Sequence, residues 1–297
     1  MRRTLVLAAI LALGGAAYAA APQAPPPVAA RDAARIEKVK DNVYVVTGSG
    51  ADNTALFSGG NTAVFVAESG VTLVDTKLPG FGPTLIDRVR SVTDKPITRI
   101  VNTHAHEDHF GSNAGFDARV EIIVHEGARA RMAQQRVTRT FKDRLTIGTG
   151  RDQIDLYHFG RGHTDGDTFV VFPAAATMHV GDMFAWKGLP YIDAAAGGSV
   201  LEHAQTLARA VAAVRGVDTI INGHIPTSTW DDLRAYADFS RDFVAYAEAS
   251  RKAGKPLPQA AAEYRVAERY TGYVASVMPL ANAATNLALA YDELSRR

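Results

Sequence analysis

The sequence predicts a layered α/β sandwich followed by a helical C-terminal extension, and three observations carry that prediction. Short β-rich runs fall into two groups, helical periodicity appears between and after those groups, and polar clusters flanked by glycine follow several of the strands. A parallel sheet of repeated βαβ units would instead alternate strand and helix throughout.

In chain order, Val43-Tyr44-Val45-Val46, Thr62-Ala63-Val64-Phe65-Val66 and Val71-Thr72-Leu73-Val74-Asp75 read as consecutive antiparallel strands, the last two joined by a Glu68-Ser69-Gly70 turn. Pro83 sits where a first helical turn begins, Leu85, Ile86 and Val89 recur at helical spacing, and Lys95-Pro96 ends that helix. Ile100-Val101 is a short buried strand running into a histidine cluster. A second series follows, with strands expected at 122–124, 154–158, 168–172, 177–180 and 219–221, and helices near 126–135 and 199–214. From Asp231 onward the pattern is helical and alanine-rich, broken at 254–258. The fold therefore occupies residues 35–297, with 231–297 as its helical extension.

The beginning of the chain sets the expected compartment. Arg2-Arg3, an apolar run from Thr4 to Leu13 and a small-x-small site at Ala17-Tyr18-Ala19 have the layout of a signal peptide over residues 1–19. The run stops at Gly14-Gly15, short of the roughly 20 apolar residues that span a bilayer, so no stable membrane span is expected after cleavage. The mature protein is expected to be periplasmic or secreted; the paired arginines hint at twin-arginine export. A Pro/Ala-rich stretch, residues 20–34, reads as an extended tether.

The 297 residues carry a net charge of +1 and no cysteine. Without a basic stripe interleaved with aromatics, nucleic acid is not an expected partner. Without cysteine there are no disulfides, thiol nucleophiles or iron–sulfur clusters, and any transition metal must be held by His, Asp or Glu. Oligomeric state has no marker in the sequence.

The histidine cluster is His104-Ala105-His106-Glu107-Asp108-His109. On an extended backbone His104 and His106 project to one side, and Asp108 and His109 come round on the following turn, so four donors converge within six residues. A cluster of this kind points to a metal. A catalytic zinc needs three protein ligands and an open position for water, and a pair of ions needs more ligands with a bridging carboxylate, so the remaining donors must come from elsewhere. Polar residues placed just after strands supply candidates: His163 in Gly162-His163-Thr164-Asp165-Gly166-Asp167, Asp182 in Gly181-Asp182-Met183, and His224 in Asn222-Gly223-His224.

With Asp75, these motifs occur in the order found in the metallo-β-lactamase superfamily, and from about Asn42 to His224 the chain resembles that family. The resemblance implies an αββα sandwich with the site at one edge between the sheets. It implies that His104, His106 and His163 hold one metal, that Asp108, His109 and His224 hold the other, and that Asp182 bridges them. It also implies a hydrolase with two zinc ions per chain, iron or manganese being other divalent choices, in which a metal-derived hydroxide attacks a small-molecule substrate and Asp108 orients it and carries a proton.

The expected bond is an ester-, thioester-, lactone- or lactam-type carbonyl. A bridging Asp182 is similar to the thioesterase, lactonase and phosphodiesterase members rather than the true β-lactamases, which lack it there, whereas export favours a β-lactam. The ligand alters the metal centre directly and carries more weight than the address. A true β-lactam hydrolase, a mononuclear iron sulfur dioxygenase and a periplasmic metal-binding accessory protein are the alternatives.

Asp75 is expected to orient a ligand by hydrogen bonding. Asp165 and Asp167 are expected to shape the His163 turn. Glu107 is read as a solvated charge, and His125, His158, His179 and His203 as structural or surface residues. Trp186, Lys187 and Tyr191 are pocket candidates, with Lys187 able to hold a substrate carboxylate.

Overall fold

The computed structural model describes residues 25–48, 53 and 55–296. The signal peptide expected over residues 1–19 lies outside the described residues. In chain order the elements are α1 (Val28–Ala33), β1 (Ile36–Lys38), β2 (Val43–Val46), β3 (Thr62–Ala67), β4 (Gly70–Val74), α2 (Gly82–Arg90), β5 (Ile97–Val101), α3 (Glu107–Phe110), β6 (Glu121–His125), α4 (Glu126–Arg131), β7 (Arg139–Phe141), β8 (Arg144–Ile147), β9 (Ile154–Tyr157), β10 (Phe169–Phe172), β11 (Thr177–His179), α5 (Val200–Ala213), β12 (Thr219–Ile221), β13 (Ser228–Thr229), α6 (Trp230–Lys252), α7 (Leu257–Glu263), β14 (Ser276–Met278), β15 (Ala281–Asn282) and α8 (Ala283–Ser295).

Strands β1 to β7 form one sheet in sequence order, antiparallel through β4 and parallel from β4 to β7. A second sheet runs β13-β12-β11-β10-β9-β8, antiparallel except for the parallel pair β11–β12. Alternation along the strands explains how the layers stack. On β3, Ala63 and Phe65 face the second sheet while Val64 faces the helices; on β10, Val170 and Phe172 face the first sheet while Phe169 and Val171 face away. Phe65 and Phe172 stack across the seam at 4.7 Å; truncating either to alanine would cost about 3–5 kcal/mol.

Helices α2 and α4 cover the outer face of the first sheet through Leu85, Val89 and Ala128. Helices α5, α6 and α8 cover the second through Leu207, Phe239, Phe243 and Leu287. The αββα sandwich is thus observed, and the helical extension packs on its outer layer.

The second half of the expected tether differs from the sequence reading. Residues 28–33 form α1, Ala30 and Ala34 are buried against the first sheet's helical layer, and Arg88 donates to the carbonyls of Ala34 (2.7 Å) and Arg31 (3.2 Å). Small side chains bury here only because a tertiary partner reaches over them.

Candidate metal centre

The expected extended run is not what places the histidines: after β5 the chain bends through residues 103–105 and then enters α3, and this bend and turn bring His104, His106, Asp108 and His109 together. The inner nitrogens of three imidazoles then face one another: His106 Nδ1 lies 3.1 Å from His104 Nε2 and 2.9 Å from His163 Nε2. A second group adjoins it, with His109 Nε2 3.4 Å from His224 Nε2, and Asp108 Oδ2 3.6 and 3.5 Å from those two nitrogens. Asp182 stands between the groups, its Oδ1 3.3 Å from His109 Nε2 and its Oδ2 3.2 Å from His224 Nε2 and 3.8 Å from His163 Nε2. All seven sequence candidates therefore converge.

The outer nitrogen of each of four imidazoles is held by an oxygen. His106 Nε2 donates to Asp193 Oδ2 (2.9 Å), His163 Nδ1 to the Tyr191 carbonyl (2.7 Å) and His109 Nδ1 to Asp75 Oδ2 (2.7 Å). Thr103 Oγ1 donates to Asp75 Oδ2 and so accepts from His104 Nδ1 at 2.9 Å. With the outer nitrogen protonated, the inner one carries a lone pair, the tautomer a metal ligand requires.

Two glycines let the backbone come close enough. A Cβ on Gly60 would stand 2.2 Å from the His109 ring, and one on Gly223 would stand 2.0 Å from Asp182 Oδ1. Gly60 N also donates to the Asp108 carbonyl, and Asn61 ties the first sheet to the His224 turn through the carbonyls of Asn222, Gly223 and Ile225.

Electrostatics agree with a cation here. Burial, reinforced by His109, His163 and His106, holds His104 well below the usual histidine range, and burial takes His163 down to about 3. Both are neutral donors. Burial opposes charge on His109, but Asp108, Asp182 and Asp75 outweigh it and raise its pKa, so these carboxylates favour positive charge among them. Burial likewise opposes the charge of Asp182, yet His224 and His109 hold it well below the usual carboxylate range. Its Oδ1 is buried, makes no well-formed hydrogen bond, and has His109 Nε2 as its neighbour at 3.3 Å. Neutral imidazole nitrogens facing one another beside a buried carboxylate, with a further imidazole whose surroundings favour positive charge, suit a zinc-type ion with nitrogen and oxygen ligands, and three groups of these residues have metal-ligand spacing.

Asp75 lies where its expected orienting role requires, fully buried between Thr103 and His109. Asp167 accepts from the backbone and hydroxyl of Thr164 and so shapes the His163 turn, while Asp165 pairs with Arg131. Glu107 is exposed. His125 and His158 stack on each other at 3.8 Å away from the seven, His179 bonds the Asn61 carbonyl and His203 the Met183 carbonyl.

Lys187 departs from expectation: its ammonium pairs with Asp232 at 2.8 Å, inside the first turn of α6, and is not free for a substrate carboxylate. Trp186 and Tyr191 do flank the cluster, with rings 6.1 Å from His224 and 5.8 Å from His106. Sequence reasoning missed Thr103, Asp193 and the Tyr191 carbonyl. It also missed Lys77, fully buried with its ammonium on the Gly60 carbonyl (2.9 Å) and its pKa lowered by burial to about 7.

Comparison with known proteins gives the same picture. Residues 56–247 match the family model of the Metallo-beta-lactamase superfamily. A metallo-beta-lactamase type 2 from Elizabethkingia meningoseptica is 27% identical over 182 residues, 58% of this chain and 69% of that protein. The 2,4-dinitroanisole O-demethylase subunit alpha of a Nocardioides species is 28% identical over 156 residues, 49% of this chain and 45% of its own. Among solved structures, a metallo-beta-lactamase from Pontibacter korlensis superposes with a TM-score of 0.61 at 17% identity, over 70% of this chain and 98% of that one. A stereoselective inverting sec-alkylsulfatase from a Pseudomonas species gives 0.72 at 16% identity, over 88% of this chain and 50% of its own. At those identities the structural likeness speaks for the fold alone. The family match spans well over half of the chain and contains every residue of the convergent cluster, and on that ground the protein belongs to the metallo-β-lactamase superfamily.

Proposed function

We propose that the protein is an exported hydrolase that holds two zinc ions per chain and cleaves an ester-, thioester-, lactone- or lactam-type carbonyl in a small molecule. The observation that carries this reading is the buried Asp182 carboxylate, which has an imidazole nitrogen of the cluster within 3.3 Å of each oxygen. His104, His106 and His163 would hold one ion and Asp108, His109 and His224 the other, with the Asp182 carboxylate standing between the two groups. Two zinc ions, when bound, lower the pKa of water toward neutrality and polarise the carbonyl oxygen.

The chain's own residues supply the rest. Asp193, the Tyr191 carbonyl, Thr103 and Asp75 fix four imidazoles before substrate arrives, which lowers the reorganisation the reaction needs. Asp108 is less buried than Asp182, with its side chain 22% exposed against 7%. It can therefore accept a hydrogen bond from the attacking water, aim it, and take up its proton for delivery to the leaving group. Among the described residues no helix is long and apolar enough to cross a membrane. The relatives named above include a lactamase, an O-demethylase and a sulfatase, so the fold carries several reactions and the site has to choose between them.

The test is metal analysis of the purified protein with assays on chromogenic ester, thioester, lactone and β-lactam substrates, for wild type, Asp182→Ala and His104→Ala. About two zinc per chain and turnover lost in both variants are expected. One iron per chain with sulfite production would overturn the hydrolase reading, and metal binding without turnover of any substrate would favour an accessory protein.

A further inference from the structure

Among the described residues, four large apolar side chains are exposed: Val28, Val274, Val277 and Leu280. Three of them fall between residues 274 and 280, on the β14–β15 hairpin and the residues leading into it. Apolar side chains exposed close together beside a site are candidates for contact with an apolar part of a ligand.

The hairpin is fastened beside the metal cluster. Val274 N donates to the Lys187 carbonyl (3.1 Å), Leu189 N donates to the Val274 carbonyl (3.3 Å), and Asn286 Nδ2 donates to the Pro190 carbonyl (2.9 Å). The segment it grips carries Trp186, 6.1 Å from His224, and Tyr191, 5.8 and 5.6 Å from His106 and His163. Within the hairpin, Ala281 is fully buried and Met278 half-buried in one apolar cluster with Trp186, Tyr191 and Ile225. Met278 thus packs with aromatic rings that lie beside each ligand triad, and Val277 lies against Gly188 of the same segment. The nearby ammonium of Lys187 is neutralised by Asp232.

We propose that the β14–β15 hairpin is the subsite for an apolar alkyl or aryl group of the substrate, which lies along Met278, Val277 and Leu280 while its carbonyl reaches the His/Asp cluster. This rests on the hydrolase reading above. A substrate group suits the patch better than a second copy of the chain, because three side chains offer far less than the roughly 800 Å² per partner that a stable dimer buries.

The test uses the zinc-loaded full chain with p-nitrophenyl acetate and p-nitrophenyl decanoate, and calorimetric binding of butyrate and decanoate in parallel. The wild type is expected to favour the decanoyl ester in kcat/KM by about ten-fold or more, and Leu280→Ser and Val277→Ser to cut that ratio about three- to ten-fold, whereas Val28→Ser leaves it unchanged. Decanoate is expected to bind about ten-fold tighter than butyrate, with the gap narrowing in both hairpin variants. If neither ester is turned over, the ester-hydrolase reading loses its support and calorimetry alone decides the subsite; equal binding of the two acids then overturns it. An unchanged decanoyl-to-acetyl ratio in both hairpin variants overturns it as well. So does a concentration-dependent dimer, or binding to phosphatidylcholine vesicles, that Leu280→Ser abolishes, since either would assign the patch to another partner.

Discussion

Replacing Asp75 by asparagine separates tautomer from shape at a carboxylate that holds His109 directly and His104 through Thr103. Its Oδ1 accepts from Thr103 N and its Oδ2 from Thr103 Oγ1 and His109 Nδ1, each at 2.7 Å. Through Thr103 it also sets His104. In Asp75→Asn the acceptor for Thr103 N can persist, but an amide nitrogen at the Oδ2 position donates where the oxygen accepted. His109 Nδ1 must then accept, its proton moves to Nε2, and the nitrogen facing Asp182 and His224 loses its lone pair. Loss of such an outer partner typically weakens metal binding 10–100-fold. A reversed tautomer at His109 and a loosened Thr103 under His104 put the losses at about 100-fold for the Asp108/His109/His224 position and about ten-fold for the other, roughly 2.7 and 1.4 kcal/mol. Competition against a chromogenic zinc chelator measures both, with circular dichroism to show that the fold survives. Thr103→Val isolates the second branch and should weaken only the His104 triad. Wild-type affinity at both positions in Asp75→Asn would refute the reasoning.

Other perturbations follow from the same geometry. Gly223→Ala drives a Cβ to within 2.0 Å of Asp182 Oδ1, so second-metal affinity should fall about 100-fold with the fold retained, read by metal content after dialysis. Glu293 on α8 accepts from Ser199 Oγ, Val200 N and Leu201 N at the start of α5; Glu293→Ala should cost about 1–2 kcal/mol in urea unfolding. Burial lowers His203 to about 4, below its unfolded value near 6.5, so the unfolded state binds the extra proton; its share of stability is full above pH 6.5 and is lost as pH falls toward 4. His203→Gln, which retains a donor for the Met183 carbonyl, should remove about 3 kcal/mol of that acid dependence in denaturation curves at pH 4.5 to 7.5. Stripping metal should lower Tm by about 8–16 °C, from about 4 kcal/mol of linkage at a thousand-fold excess over Kd; a shift under about 2 °C in scanning calorimetry would contradict ions that hold the two sheets together.

How far the sequence reached depended on whether a feature is local. β2 to β4 and β9 to β12 were legible because β-branched runs alternate between two buried faces. β1, β7, β8 and β13 were not: they are short, carry exposed polar residues such as Arg139 and Arg144, and become strands only by pairing with a neighbour. The break at 254–258 was visible in Gly254 and Pro256, but β14–β15 was not, since its exposed valines lack the alternation of a half-buried strand. Four donors in six residues are a local signal, and so is a histidine or aspartate beside glycine. Asp193 has no such mark, because it meets His106 across 87 residues of chain. Lys187 misled for the same reason: whether an ammonium is free depends on Asp232, 45 residues away.

Strand direction turns those local signals into one site. β4, β5 and β6 run parallel in the first sheet, so the residues after each emerge at one edge: Asp75, the His104–His109 cluster, and the turn into α4. In the second sheet β9 and β11 are each antiparallel to β10, and β12 is parallel to β11, so β9, β11 and β12 share a direction and deliver His163, Asp182 and His224 to one edge. β3 runs against β4, which brings its leading Gly60 to that edge from the opposite end. The polar clusters that follow strands are therefore not interchangeable loops. Reversing any one of these strands would carry its donor a strand length away, roughly 13 Å for four residues, which is several times the spacing over which these ligands meet.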